Sequence, residues 1–151
     1  MSEQQSSTQV GIIVVAHADY GSAMLRTAEF ILGTLSDCTS ISVDIAQEVP
    51  ETVRRLLSSA GVIFCLDFNE PRRVDRLEEA LSGSKALKVM IDHHLNPDPF
   101  ADIIVSRPEV SSTCLLLYNV LVDLGLASYI DMTVAESLLT GMMTDTGAFS
   151  Y

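Results

Sequence analysis

The sequence predicts a three-layer, Rossmann-like α/β domain: an open parallel sheet with helices on both faces. Three observations carry this. Short apolar runs rich in β-branched residues alternate with amphipathic stretches, the connections between the runs are too long for hairpins, and 151 residues is the size of one domain with one core. Strands joined in this way pair in parallel, and the right-handed crossover places helices on both faces.

Taken in order, Val10-Gly-Ile-Ile-Val-Val-Ala16 reads as a strand buried on both faces and ends at His17. Met24, Leu25, Ala28, Ile31 and Leu32 form one helical face, with Gly33 at the C-cap position. Ile41 to Ile45 is a shorter strand, and Pro50 opens a helix whose Val53, Leu56, Leu57 and Ala60 face the sheet until Gly61. Val62-Ile-Phe-Cys-Leu66 is the next apolar strand. Val74, Leu77, Ala80 and Leu81 form a helical stripe before Gly83, and Lys88 to Ile91 is the fourth strand. Ile103-Ile-Val105 is a candidate fifth. Ser111 or Ser112 caps a helix with Cys114, Leu117, Tyr118, Leu121 and Leu124 on one face, stopped by Gly125. Thr133-Val-Ala-Glu136 has the form of a capping box, opening a helix with Ala135, Leu138, Leu139 and Met142 inward. Residues 1–151 are expected to form one domain, with Met1 to Gln9, polar and rich in Ser and Gln, as a disordered tail.

Nine Lys and Arg against 20 Asp and Glu give a net charge of −11, which argues against general nucleic-acid binding and leaves a small phosphorylated ligand as the expected partner. Cys38, Cys65 and Cys114 have no metal-like spacing and fit buried free thiols in a reducing compartment. The start lacks signal-peptide features and no apolar run approaches membrane-spanning length, so the expectation is a cytoplasmic protein without a membrane partner. Composition says nothing of oligomeric state.

Ligands of open parallel sheets bind at the carboxyl ends of the strands. His17 and Asp19 follow the first strand, Asp67 the third, and Asp92-His93-His94 the fourth, while Asp145 follows the last helix in Thr144-Asp-Thr-Gly147. Carboxylates with imidazole suit Mn²⁺, Fe²⁺ or Zn²⁺. Taken singly, His17 is either a ligand or a hydrogen-bonding loop residue, and Asp67 either a ligand or the N-cap of the following helix. The Asp92-His93-His94 run points to a site, because three consecutive ionisable groups after an apolar strand are costly to fold without a partner. Arg72, Arg73 and Arg76 read as a solvated helix face.

Three motifs, Val62-Ile-Phe-Cys-Leu-Asp67-Phe-Asn69, Lys88-Val-Met-Ile-Asp92-His93-His94-Leu-Asn-Pro97 and Thr140-Gly-Met-Met-Thr-Asp145-Thr-Gly147, resemble the catalytic domain of the DHH phosphoesterases. The likeness runs from Gly61 to Tyr151 and is nearest to the nanoRNase and 3′,5′-bisphosphate nucleotidase branch. It implies that Asp67 bridges two divalent metals, that His93 and Asp145 bind one of them, and that His94 faces substrate phosphate, with Asp92 supporting or joining the ligands. The family's opening motif, His-x-x-Pro-Asp-Gly-Asp-Ala-x-Gly-Ser, is replaced by Val15-Ala-His17-Ala-Asp19-Tyr-Gly-Ser. From there through about Ser58 the chain resembles the enzyme IIA component of the mannose-type sugar phosphotransferase system. That likeness implies His17 as phosphoryl acceptor, although the Gly-rich phosphate loop of that family is replaced by Phe68-Asn-Glu-Pro71. Both families imply strand order 2-1-3-4-5, with Val10 to Ala16 beside Val62 to Leu66.

The expectation from these two likenesses is an engineered chimera. Residues 1–60 would be enzyme IIA-like and residues 61–151 DHH-like, with a vestigial His17, no evolved activity and local looseness where Val53, Leu56 and Leu57 meet the joined sheet. With the second metal left to His17 and Asp19, and no substrate domain expected, the chain reads as no enzyme, holding Mn²⁺ or Mg²⁺ weakly through Asp67, His93 and Asp145, with Asp92 and Asp19 as further candidates. The alternatives are a metal-dependent DHH phosphoesterase acting on short oligonucleotides or nucleotide phosphates, and a phosphohistidine carrier.

Overall fold

The computed structural model describes residues 11–16, 20–42 and 49–150. Apolar β-branched runs form the strands: β1 (Ile12–Ala16), β2 (Cys38–Ser42), β3 (Val62–Leu66), β4 (Leu87–Asp92) and β5 (Ile103–Ser106). Between and after them lie α1 (Tyr20–Leu32), α2 (Glu51–Ser59), α3 (Glu78–Gly83), α4 (Thr113–Asp123) and α5 (Met132–Asp145). The sheet is parallel throughout, in the expected order β2-β1-β3-β4-β5.

Strand alternation divides the interior into two layers. Ile13, Val15, Ile63, Cys65 and Met90 point to one face, where Leu57 of α2 and Leu81 of α3 cover them together with Phe68, Val74 and Leu77. Val14, Ala16, Leu66 and Ile91 point to the other, covered by Met24 and Leu25 of α1 and Leu116 and Leu117 of α4. Gly21 lets α1 settle on the sheet: a Cβ there would stand 2.9 Å from Ser40 Cβ and 3.3 Å from the Val14 carbonyl.

Several expected details change. The second strand runs over Cys38–Ser42, earlier than Ile41 to Ile45, and residues 43–48 lie outside the described region, as does Val10. The predicted third helix is replaced by a 3-10 segment, Pro71–Leu77, kinked within itself at Asp75 (φ 46, ψ −112), followed by the short α3. Ser112, and not Ser111, caps α4 by accepting a hydrogen bond from the Leu115 N–H. The buried stripe of α4 is Thr113 and Leu116, leaving Tyr118 and Leu124 exposed, so the predicted face is rotated. Asp131 opens α5 by accepting from the Val134 N–H at 2.9 Å, in place of the Thr133 capping box. Leu138 is buried as expected, while Ala135 and Leu139 are exposed.

Against the sheet, α2 packs closely. Leu57 is fully buried, its carbonyl accepts from the Ser84 hydroxyl, and only Leu56 of the predicted face turns outward. No helix among the described residues is long and apolar enough to cross a membrane.

Candidate cation site at the carboxyl edge

Parallel pairing brings the ends of β3 and β4 to one level, since Leu66 pairs with Ile91 and the Asp67 N–H donates to the Ile91 carbonyl. Asp67 leaves β3 in the left-handed region, at φ 67, and so turns the chain sharply over the sheet edge. The next residue, Phe68, is fully buried and stacks on Phe100 with ring centroids 6.0 Å apart, anchoring the loop from below. Asn69, also buried, donates through Nδ2 to the Leu95 carbonyl at 2.7 Å and ties this loop to the one bearing the histidines. Its Oδ1 is buried with no hydrogen-bond partner among the described residues.

Asp92, the last residue of β4, is completely buried and accepts from both the backbone N–H and the ring Nδ1 of His94, each at 2.7 Å. A carboxylate only accepts, so the Nδ1 carries the proton and Nε2 is left for the site. His93 is held in the same way, its Nδ1 lying 3.1 Å from the Val110 carbonyl. Its Nε2 therefore faces Asp67 Oδ1 at 3.8 Å and Asp145 Oδ2 at 3.7 Å.

Those two separations are too long for hydrogen bonds. They are a few tenths of an ångström wider than the about 3.0–3.4 Å between ligands sharing one ion through bonds of about 2.1 Å. One ligand atom from each of Asp67, His93 and His94 lies within 4.8 Å of the others. The oxygen and imidazole donors suit Mn²⁺ or another divalent ion of borderline softness, and with imidazole present they favour Mn²⁺ over Mg²⁺. Burial, and then the neighbouring Asp67 charge, push the Asp145 carboxyl above its ordinary value, a repulsion that a cation between the two would relieve. Cys114 stands beside these carboxylates, and burial followed by the charges of Asp145 and Asp67 pushes its thiol up to about 11.

Of the sequence-predicted residues, Asp67, Asp92, His93, His94 and Asp145 come together. His17 and Asp19 lie outside the described residues. The capping alternative for Asp67 does not hold: Glu70 occupies the N-cap position of the 3-10 segment, and Asp67 accepts a hydrogen bond from Thr113 Oγ1 at 2.6 Å. Arg72 and Arg73 are exposed, as expected, and pair with Glu70. Thr113 escaped the sequence reading, where the segment after β5 offered only a helix start. All three cysteines are free thiols, and burial raises Cys65 to about 12.

An open parallel sheet whose carboxyl edge gathers three aspartates and two histidines defines an α/β protein with a cluster of cation-ligand chemistry. The chain belongs to the DHH family: residues 11–142 match the description "DHH family, N-terminal domain". It is similar to the bifunctional oligoribonuclease and PAP phosphatase NrnA of Bacillus subtilis, at 28% identity over 111 residues, covering 73% of this chain and 34% of the relative. It is also similar to the crystal structure of an exopolyphosphatase-related protein from Bacteroides fragilis. There the TM-score is 0.76 at 31% identity, over 93% of this chain and 47% of the other. The chain thus spans about a third of the one and about half of the other. A single family crosses the expected junction near Ala60, so the reading of an enzyme IIA-like half joined to a DHH-like half has no support in these comparisons.

Proposed function

We propose that this chain carries the cation site of a DHH-type phosphoesterase acting on nucleotide phosphates or short oligonucleotides. The observation that carries this reading is the position of His93 Nε2, facing both Asp67 and Asp145 at separations that suit a shared ion. Family membership and the likeness to an oligoribonuclease and PAP phosphatase support the choice of substrate class.

Mn²⁺, when bound, supplies an activated water and neutralises phosphate charge. Asp67, His93 and Asp145 would hold it, and the Val110 carbonyl keeps the His93 ring turned toward it. His94, fixed by buried Asp92, presents Nε2 to a phosphate oxygen and donates to it when the ring carries both protons. The test is Mn²⁺-dependent phosphate release from a nucleoside 3′,5′-bisphosphate. Turnover that falls at least about 100-fold in Asp67→Asn supports the reading, on the scale of removing a main electrostatic contributor. Turnover indifferent to Mn²⁺ or to Asp67→Asn contradicts it.

A further inference from the structure

We infer that Thr113 is a positioning residue of the cation site, its hydroxyl fixing Asp67, one of the two aspartates that flank His93. This rests on the reading of that cluster as a cation site. The Thr113 hydroxyl donates to Asp67 Oδ1 at 2.6 Å, within the short range of bonds to a charged acceptor. The first residue of α4 therefore grips the carboxylate that follows β3, from an element far away in sequence.

The donor is itself held in place. Thr113 is the first residue of α4 and is buried, and the preceding Ser112, fully buried, accepts from the Leu115 N–H and so fixes where the helix begins. One turn along, Leu116 is buried against Leu66 and Ile91. Asp67 Oδ1 receives the Thr113 proton on one lone pair and keeps another for the space in front of His93 Nε2. That bond holds the Asp67 carboxylate against rotation away from the like charge of Asp145. Preorganisation of ligand oxygens of this kind changes metal affinity by about 10–100-fold.

The experiment is calorimetric titration with Mn²⁺ of the wild type, His93→Ala, Thr113→Val and Thr113→Ser, with the melting temperature of each metal-free protein recorded alongside. The expected result is wild-type binding that His93→Ala abolishes, that Thr113→Val weakens by about 10–100-fold, and that Thr113→Ser, which keeps the hydroxyl, restores to within about threefold. Thr113→Ala gives the same readout should the valine variant not fold. Valine-variant affinity equal to wild type, with His93→Ala still abolishing binding, overturns the role of Thr113 and leaves the cation site standing. Equal loss in Thr113→Ser, or a loss that follows the fall in metal-free melting temperature, also overturns it, because packing alone would then explain the effect. No binding by the wild type, or undiminished binding by His93→Ala, contradicts the cation site itself.

Discussion

Replacing Asp92 by asparagine changes the site at one buried atom. In the wild type both carboxylate oxygens accept from His94, one from its backbone N–H and one from its ring Nδ1, each at 2.7 Å, and the side chain has no solvent exposure. An asparagine keeps an oxygen for one of these donors and sets an NH₂ against the other. The backbone N–H cannot give up its proton, so the amide nitrogen falls opposite the imidazole Nδ1, and the ring must shift its proton to Nε2. A hydrogen bond to a charged group, worth about 1.5–3 kcal/mol, becomes a neutral one worth about 0.5–1.5 kcal/mol, so the expected loss is about 1–2 kcal/mol. For a domain of this length that lowers the melting temperature by about 2–8 °C. Nitrogen-15 correlation spectra of the histidine rings report the tautomer, and urea unfolding reports the stability. An Nδ1–H tautomer for His94 in the wild type and Nε2–H in Asp92→Asn is expected. The same tautomer in both proteins, or no change in stability, would refute the reasoning.

Two further outcomes follow from the same geometry. Phe68→Ala removes a fully buried ring that stacks on Phe100 directly below the Asp67 turn, and should lower the urea-unfolding free energy by about 3–5 kcal/mol; a loss under about 1 kcal/mol would show that the loop is anchored elsewhere. Asp145 has a carboxyl raised above its ordinary value of 3.8, by burial first and the charge of Asp67 next, so its charged form disfavours the metal-free fold. As pH falls through the raised value, the folded state takes up a proton that the unfolded state does not yet hold, and stability rises. Metal-free Asp145→Asn should therefore melt higher than the wild type near neutral pH, with the gap closing as the pH falls; a lower melting temperature at neutral pH would contradict this.

The strands were legible because each is buried on both faces, which forces a continuous apolar run: Val62 to Leu66 is placed by sequence to the residue. The faces of α4 and α5 were not. Tyr118, Leu124 and Leu139 complete apolar stripes yet remain 40%, 67% and 49% exposed, and periodicity cannot tell a stripe facing the sheet from one left at the surface. The kink at Asp75 is a backbone choice, φ 46, with no compositional mark.

At the site, Asp67, Asp92, His93, His94 and Asp145 stood out because ionisable groups after apolar strands are conspicuous. Thr113 did not, since a threonine behind a capping serine looks like any helix start, and its function depends on where α4 lands over β3. The two-parent reading arose from the first turn after β1. His17-Ala-Asp19 departs from the expected DHH opening motif, but the strand–helix pattern that the sheet requires continues through Ala60, and the family match follows that pattern.

Crystals soaked in Mn²⁺ and measured near the manganese absorption edge test the site most directly. A strong anomalous peak between Asp67 Oδ1, His93 Nε2 and Asp145 Oδ2, with His93 Nε2 drawn inward from its present separations of 3.8 and 3.7 Å, is the predicted result. Data showing no anomalous density there, while Mn²⁺ occupies some other acidic surface, would contradict the assignment of this edge as the cation site.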